Sequence, residues 1–160
     1  MIDGTTNTTT TRNIKTHIPR NNKYKQGCFD EKFQVRKYYG ARPIIYRSSL
    51  EYKYMINLER NPDVIKWTSE GLIIPYVIPE KVDGKTVNKK HRYLTDFVVH
   101  HKNGKIYVVE IKPYSLSPKT RRDLLNPDIK KNAYKWQAAI NWCRLHENYE
   151  FKVITDQDIR

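Results

Sequence analysis

Residues 107–116, YVVEIKPYSL, place an acid and an amine two positions apart in an apolar stretch, at Glu110 and Lys112. Strand side chains alternate between faces with a period of two, so both groups point to the same side of a predicted strand. Charges in a segment built for burial require a partner or a function. A carboxylate is a hard ligand for Mg²⁺ or Mn²⁺, and an adjacent amine can orient a water or stabilise developing negative charge.

A second acid, Asp96, precedes an Asn103-Gly104 turn, and the register of that turn decides whether it meets Glu110. A two-residue turn pairs position 97 with 110 and places the two acids on opposite faces. A three-residue loop with Gly104 as the bulge residue pairs 96 with 110. We predict the second register, in which the carboxylates lie about 5 Å apart and repel unless a cation lies between them. A metal ion at such a site can support phosphodiester hydrolysis.

Structural roles are alternatives for each of these acids. Glu110 and Lys112 could form a salt bridge on an exposed sheet face, and Asp96 could be a strand-end acid. Glu51 lies three residues after Ser48, which is the spacing of a capping box at a helix start. Glu70 could simply precede a turn at the next residue, which is glycine.

The charge of the chain favours a polyanionic partner. The 160 residues contain 30 Lys and Arg against 17 Asp and Glu, a formal net charge of +13, which is typical of nucleic-acid-binding proteins. A merely solvated basic protein is the alternative. No apolar run approaches the ~20 residues of a membrane span, and no signal-peptide core is present, so we expect an intracellular protein. Cys28 and Cys143 lie far apart, which disfavours a disulfide framework or a zinc site.

Hydrophobic patterning predicts an α/β (α+β) domain with a mixed central sheet. The Thr-, Asn- and Lys-rich residues 1–37 are predicted to form a basic flexible arm, and residues 38–160 a single domain. A helix is predicted from Ser48 to the Asn61-Pro62 stop. The remaining predicted elements are strands over 72–78, 92–100, 105–112 and 151–155, a polar loop over 80–91, a basic connection over 113–131 and a helix over 132–146.

The order of the motifs resembles that of a known superfamily. A helical Glu51, then Asp96, then the Glu110-Ile111-Lys112 triplet resembles the PD-(D/E)xK nucleases, with Thr95 replacing the usual proline. The strings YRSSLE, KWTSEGLIIPY, HRYLTDF, EIKP, KWQAA and FKVIT, in that order, look like the N-terminal domain of TnsA-type endonucleases. They resemble still more the family of head-completion nucleases of large contractile-tailed phages. The resemblance covers roughly residues 38–157.

This resemblance implies a restriction-endonuclease-like fold, with helices flanking the mixed sheet. It implies that Glu51, Asp96, Glu110 and the Ile111 carbonyl hold Mg²⁺, for which Mn²⁺ would substitute. Lys112 would position the attacking water, and Gln137 matches an extra polar position in some members. We further predict DNA contacts from Arg47, Lys119, Arg121, Arg122 and Lys135.

The implied activity is Mg²⁺-dependent endonucleolytic cleavage of double-stranded DNA, with little sequence specificity. The expected setting is trimming of packaged DNA ends during head completion, before tail joining, with phage head or portal proteins as partners and no membrane. The protein would act in the host cytoplasm during assembly or in the virion head. One alternative is a transposon end-cleaving subunit. Another is a non-enzymatic head or neck protein that binds DNA or the portal.

Overall fold

The computed structural model describes residues 26–119 and 121–159, without the side chains of Arg121 and Leu124. Short 3-10 turns cover Tyr114–Leu116 and Arg121–Leu125. The other elements are β1 (Gly27–Cys28), β2 (Ile45–Tyr46), α1 (Ser49–Arg60), β3 (Val64–Ser69), β4 (Ile73–Val82), β5 (Lys85–Leu94), β6 (Phe97–His101), β7 (Ile106–Ile111), α2 (Pro127–Arg144) and β8 (Tyr149–Ile154).

The central sheet is mixed, as predicted, with strand order β3-β6-β7-β8. Its β7–β8 pair is parallel and its other pairs are antiparallel. The two helices lie on opposite faces. Val109 belongs to the core cluster that contains Met55 of α1, whereas Val108 packs in the cluster that contains Ala139 of α2. Adjacent strand residues face opposite sides, so the α2 face is also the face of Glu110.

The β6–β7 hairpin confirms the predicted register. Phe97 pairs with Val109 and His100 with Ile106, which aligns position 96 with 110. The three-residue loop ends at Gly104, whose φ of +84° is the left-handed conformation that a bulge of this kind requires. The His101 amide donates to the Lys105 carbonyl at 3.0 Å and closes the loop.

The predicted polar loop over 80–91 is wrong, because these residues extend a long β4–β5 hairpin. Pairing continues to Val82 and Lys85, and both turn residues, Asp83 and Gly84, have positive φ values of 49° and 74°. Such a turn matches the twist of the flanking strands. Both faces of the outer hairpin, residues 81–90, are exposed and mostly polar, so the alternating pattern that signals a strand is missing.

The predicted strand over 92–100 is interrupted. The chain leaves β5 at Leu94 and begins β6 at Phe97, so Thr95 and Asp96 form a short connection. Thr95 is fully buried, and its backbone N–H and hydroxyl both donate to the Leu72 carbonyl, at 3.0 and 3.1 Å. This anchoring fixes Asp96 at the start of β6.

The folded part of the chain begins before residue 38, where the predicted arm was to end. β1 pairs with β2, and the Phe29 side chain is fully buried in the cluster around Trp67. Residues 26–37 therefore belong to the domain. The rest of the predicted arm, residues 1–25, lies outside the described residues.

Local capping explains both helix starts. Ser48 caps α1 as predicted, accepting from the Glu51 amide at 3.1 Å. α2 begins earlier than predicted, with Asn126 as its cap and Pro127 in the first turn, where a missing N–H costs nothing. None of the helices in the described ranges is long and apolar enough to span a membrane.

Candidate active site

The Glu110 carboxylate is the buried centre of the site, with 2% of the residue exposed. Its Oε2 atom accepts a hydrogen bond from the Tyr93 hydroxyl at 2.5 Å. Its Oε1 atom lies 3.2 Å from Nζ of Lys112. The suggested salt bridge on an exposed sheet face is therefore wrong in one respect, because its acid is buried and its amine is only partly exposed. Burial and the negative charge of Glu110 raise the pKa of the Tyr93 hydroxyl, so it acts as a donor.

A second amine reaches the same carboxylate from the helix on that face. Lys135 of α2 places its Nζ 3.8 Å from Glu110 Oε1 and 4.6 Å from the centre of the Tyr93 ring. Burial lowers the pKa of Lys135, while Glu110 opposes that shift. Lys135 was predicted to contact DNA, and the structure places its amine beside the acids.

Asp96 lies at the start of β6 and is held by the neighbouring strand. Its Oδ2 atom accepts from the Ile111 backbone N–H at 2.7 Å. Burial raises the pKa of Asp96 well above its usual value, and the negative charges of Glu110 and Glu51 raise it further. Two carboxylates that repel each other in a partly desolvated place favour a bound cation or a proton.

Glu51 combines a capping role with proximity to Asp96. Its side chain accepts from the Arg47 amide at 2.8 Å and from the Ser48 hydroxyl at 3.3 Å, a variant of the predicted capping box in which the backbone donor is the residue before the cap. Burial raises the pKa of Glu51, and these hydrogen bonds oppose that shift. Its charge also contributes to the raised pKa of Asp96. The capping and site interpretations are thus compatible.

Arg47 and Glu70 form an exposed ion pair at the mouth of this region, with Nε to Oε1 at 2.8 Å. Glu70 has a φ of 51°, and its amide donates to the Asp96 carbonyl at 3.0 Å. The hydrogen bond from Arg47 to Glu70 raises the Arg47 pKa, with smaller contributions from Glu51 and Asp96. Arg47 therefore adds positive charge beside the acids, and Glu70 is more than a turn residue.

Other predicted residues lie further from the acids. Gln137 is exposed on α2 and donates to Asn141 at 3.0 Å, so the structure does not bring it to the carboxylates. Lys119 has its Nζ 3.8 Å from the Tyr114 ring centre, beside a cavity of about 520 Å³ that Pro113 also lines. Arg122 is exposed, and the Arg121 side chain lies outside the described part.

The donor set fits a magnesium ion without a complete protein cage. Across the described ranges, no three Asp, Glu, His or Cys side chains are gathered closely enough to hold a metal by themselves. Mg²⁺, however, is usually bound by one or two carboxylates and keeps several waters. Among the described residues, Asp96 Oδ1 has no hydrogen-bonding partner, and an ionised carboxylate such as Glu110 offers about four lone-pair sites. Oxygen ligands therefore remain available on both acids.

The mixed sheet, the helices on its two faces and the acid–lysine cluster at one end of β6 and β7 define a nuclease-like fold. Residues 61–156, more than half of the chain, match the TnsA-like endonuclease N-terminal family, and the protein belongs to that family. The chain is also similar to the head completion nuclease of Enterobacteria phage T4, at 29% identity over 139 residues, or 79% of this chain and 88% of the relative.

Sequence reasoning missed two groups that contact Glu110. Tyr93 donates to it from β5, and Lys135 approaches it from α2. The hairpin lies between Thr68 and Asp96 in sequence, and the helix follows a long connection. The E-x-K spacing therefore could not identify these partners.

The hydrogen bond from Tyr93 to Glu110 should contribute measurably to stability. We expect Tyr93→Phe to lower the free energy of unfolding by about 1–3 kcal/mol, because a buried carboxylate oxygen loses its donor. The matched control is Tyr107→Phe, whose hydroxyl accepts only a 3.4 Å bond from Asn103. Urea unfolding measures both, and equal stabilities of the two variants would contradict the structural role of Tyr93.

Proposed function

We propose that the protein is a Mg²⁺-dependent endonuclease that hydrolyses phosphodiester bonds of double-stranded DNA. The supporting observation is the meeting of Asp96 and Glu110 across the β6 start and the β7 end, with Lys112 3.2 Å from Glu110. Family membership supports the reaction class, and the net charge of +13 suits a polyphosphate substrate.

The ligands proposed for the metal are Asp96, Glu110 and the Ile111 carbonyl, with Glu51 close enough to act on Asp96 electrostatically. When bound, Mg²⁺ would supply Lewis-acid stabilisation of phosphate charge and a more acidic water. The hydrogen bonds from Tyr93 to Glu110 and from Ile111 to Asp96 fix the two carboxylates before substrate arrives. Such preorganisation removes reorganisation cost from the reaction.

Lys112 is the proposed residue that orients the attacking water and faces the developing negative charge. Its side chain is 23% exposed, so it reaches both the buried Glu110 and solvent. Lys135 holds the second positive charge at the same carboxylate. Asp96 also acts electrostatically on both amines, so a metal ion bound to the acids would leave the two lysines available to attract a phosphate.

The biological role proposed is trimming of packaged DNA ends during phage head completion, in the host cytoplasm or the virion head, with head or portal proteins as partners. The similarity to a head completion nuclease over 88% of that relative's length supports this assignment. Cleavage of transposon ends is the second candidate, supported by the TnsA-like family match. A non-enzymatic head or neck protein is the third, and its acid cluster would be a structural ion pair.

Plasmid digestion tests the activity. We expect nicking or linearisation with Mg²⁺ and none with EDTA, and a loss of about 100-fold or more in Lys112→Ala and Asp96→Asn, because each removes a preorganised charge. The control is Lys105→Ala, since Lys105 is exposed and pairs with Glu150 at the other end of β7. Equal cleavage by wild type and the two site variants would refute the assignment.

Metal binding is tested without DNA or turnover. We expect millimolar Mg²⁺ or Mn²⁺ to raise the melting temperature of the wild type, because a ligand that binds the folded state stabilises it. Asp96→Asn should abolish this shift. The control Asp63→Asn changes an exposed acid away from the cluster and should keep it. An absence of any shift in the wild type would favour the non-enzymatic alternative.

Two side chains of α2, Lys135 and Gln137, are candidates for assisting the acids in cleavage. The resemblance assigns it to Gln137, whereas the contacts favour Lys135. We expect Lys135→Met to lower the cleavage rate about tenfold through loss of a charge beside Glu110, and Gln137→Ala to change it by less than about twofold. Thermal unfolding of both variants identifies losses due to misfolding, and the opposite order of cleavage rates would restore the Gln137 assignment.

A further inference from the structure

A basic groove lies between the outer β4–β5 hairpin and the first turns of α2. Its volume is about 800 Å³. Lysines stand on both walls, with Lys81 on the hairpin and Lys130 and Lys131 on the helix, and His91 also lines it. No residue of this groove belongs to the acid cluster, so its charge needs an explanation of its own.

The positive charge of the groove exceeds its negative charge. Glu80 is the acid among its lining residues, and it is held at 2.7 Å by Lys89. Lys89 lowers the pKa of Glu80, and Lys130 contributes from the helix. Lys81 and Lys131 are exposed and form no ion pair within the described part of the chain. A concave surface with this balance of charge attracts a polyanion.

Both walls of the groove continue directly to the acids. On β5, His91 and Tyr93 share a strand face, and Tyr93 donates to Glu110. On α2, Lys131 and Lys135 are four residues apart, so they lie on one side of the helix a turn from each other. Lys135 is the residue that contacts Glu110.

The groove begins a short distance from the acids along both walls. Two strand residues span about 7 Å, and four helical residues span about 6 Å. Successive phosphates of one DNA strand rise about 3.4 Å along the duplex axis. For a duplex whose axis ran parallel to these walls, the groove would begin about two nucleotides from the acids.

We propose that this groove binds the sugar-phosphate backbone of duplex DNA on one side of the bond to be cut, so that the β4–β5 hairpin and the start of α2 guide the strand to Asp96 and Glu110. The inference rests on the proposed function and adds a substrate-binding surface to it. Lysines bind phosphate as point charges, so the groove fixes position without selecting sequence.

The test measures DNA binding in EDTA, where cleavage is blocked, by fluorescence anisotropy of a labelled blunt duplex at several salt concentrations. The double variant Lys81→Gln/Lys131→Gln removes one charge from each wall. Affinity falls as salt rises, and we expect the double variant to make this fall shallower. The magnitude of the slope of log affinity against log salt should decrease by about two, one for each lost phosphate contact. The charge-matched control is Lys66→Gln/Lys102→Gln, whose lysines are exposed on β3 and in the β6–β7 loop, and its slope should equal that of the wild type.

The two proposals fail in different ways. Equal slopes for the groove and control variants, in proteins with wild-type melting temperatures, would overturn the groove, even if the wild type cleaves plasmid. A smaller slope in the groove variant but not in the control variant would support the proposed DNA-binding groove. If the wild type then failed to cleave plasmid, that result would count against the nuclease mechanism alone.

Discussion

The structure at this end of the molecule depends on stabilising the negative charge of one buried carboxylate, that of Glu110. Glu110 is 2% exposed, and an isolated ionised carboxylate in such a place would be strongly unfavourable. Three elements contribute to its stabilisation: the hydroxyl of Tyr93 comes from β5, the amine of Lys112 from the chain that follows β7, and the amine of Lys135 from α2. The hairpin, sheet and helix must therefore assemble together before this charge is satisfied.

Asp96, unlike Glu110, has few partners that stabilise its negative charge. It accepts one backbone hydrogen bond from Ile111, and its strongest electrostatic neighbours, Glu110 and Glu51, are acids. The cluster thus combines a carboxylate that is well compensated with one that is not. Compensation of Glu110 fixes its geometry, and the proposed metal ion would supply the positive charge that Asp96 lacks. These two conditions together are what a metal-assisted phosphodiesterase needs.

The long hairpin links this chemistry to the surface. Its inner residues, including Ile74 and Tyr93, pack in the cluster that contains Ala139 of α2, so its position relative to the helix is set by apolar burial. Its outer residues are polar and exposed. One element can therefore stabilise the Glu110 site at its base and present charge at its tip, without either role compromising the other.

Much of the fold and of the site could be predicted from the sequence, where local chemistry decides the outcome. Ser48 and Glu51 define a capping box by spacing alone, and Asn103-Gly104 restricts the β6–β7 loop to registers of which one joins Asp96 to Glu110. The E-x-K period of two places Glu110 and Lys112 on one face. Each of these features depends on residues close in sequence, so each can be recognised from the sequence alone.

Only the tertiary structure decided the features that depend on distant segments meeting. The partners Tyr93 and Lys135 reach Glu110 from elements 17 and 25 residues away, and no local pattern relates them. The exposed outer hairpin has polar residues on both faces, which leaves no periodicity to detect, and Phe29 joins the core from a polar segment. The placement of Gln137 on the exposed side of α2 was likewise set by which face of that helix packs on the sheet. Burial and pairing are properties of the assembled chain, because each group is satisfied by neighbours that the fold alone brings together.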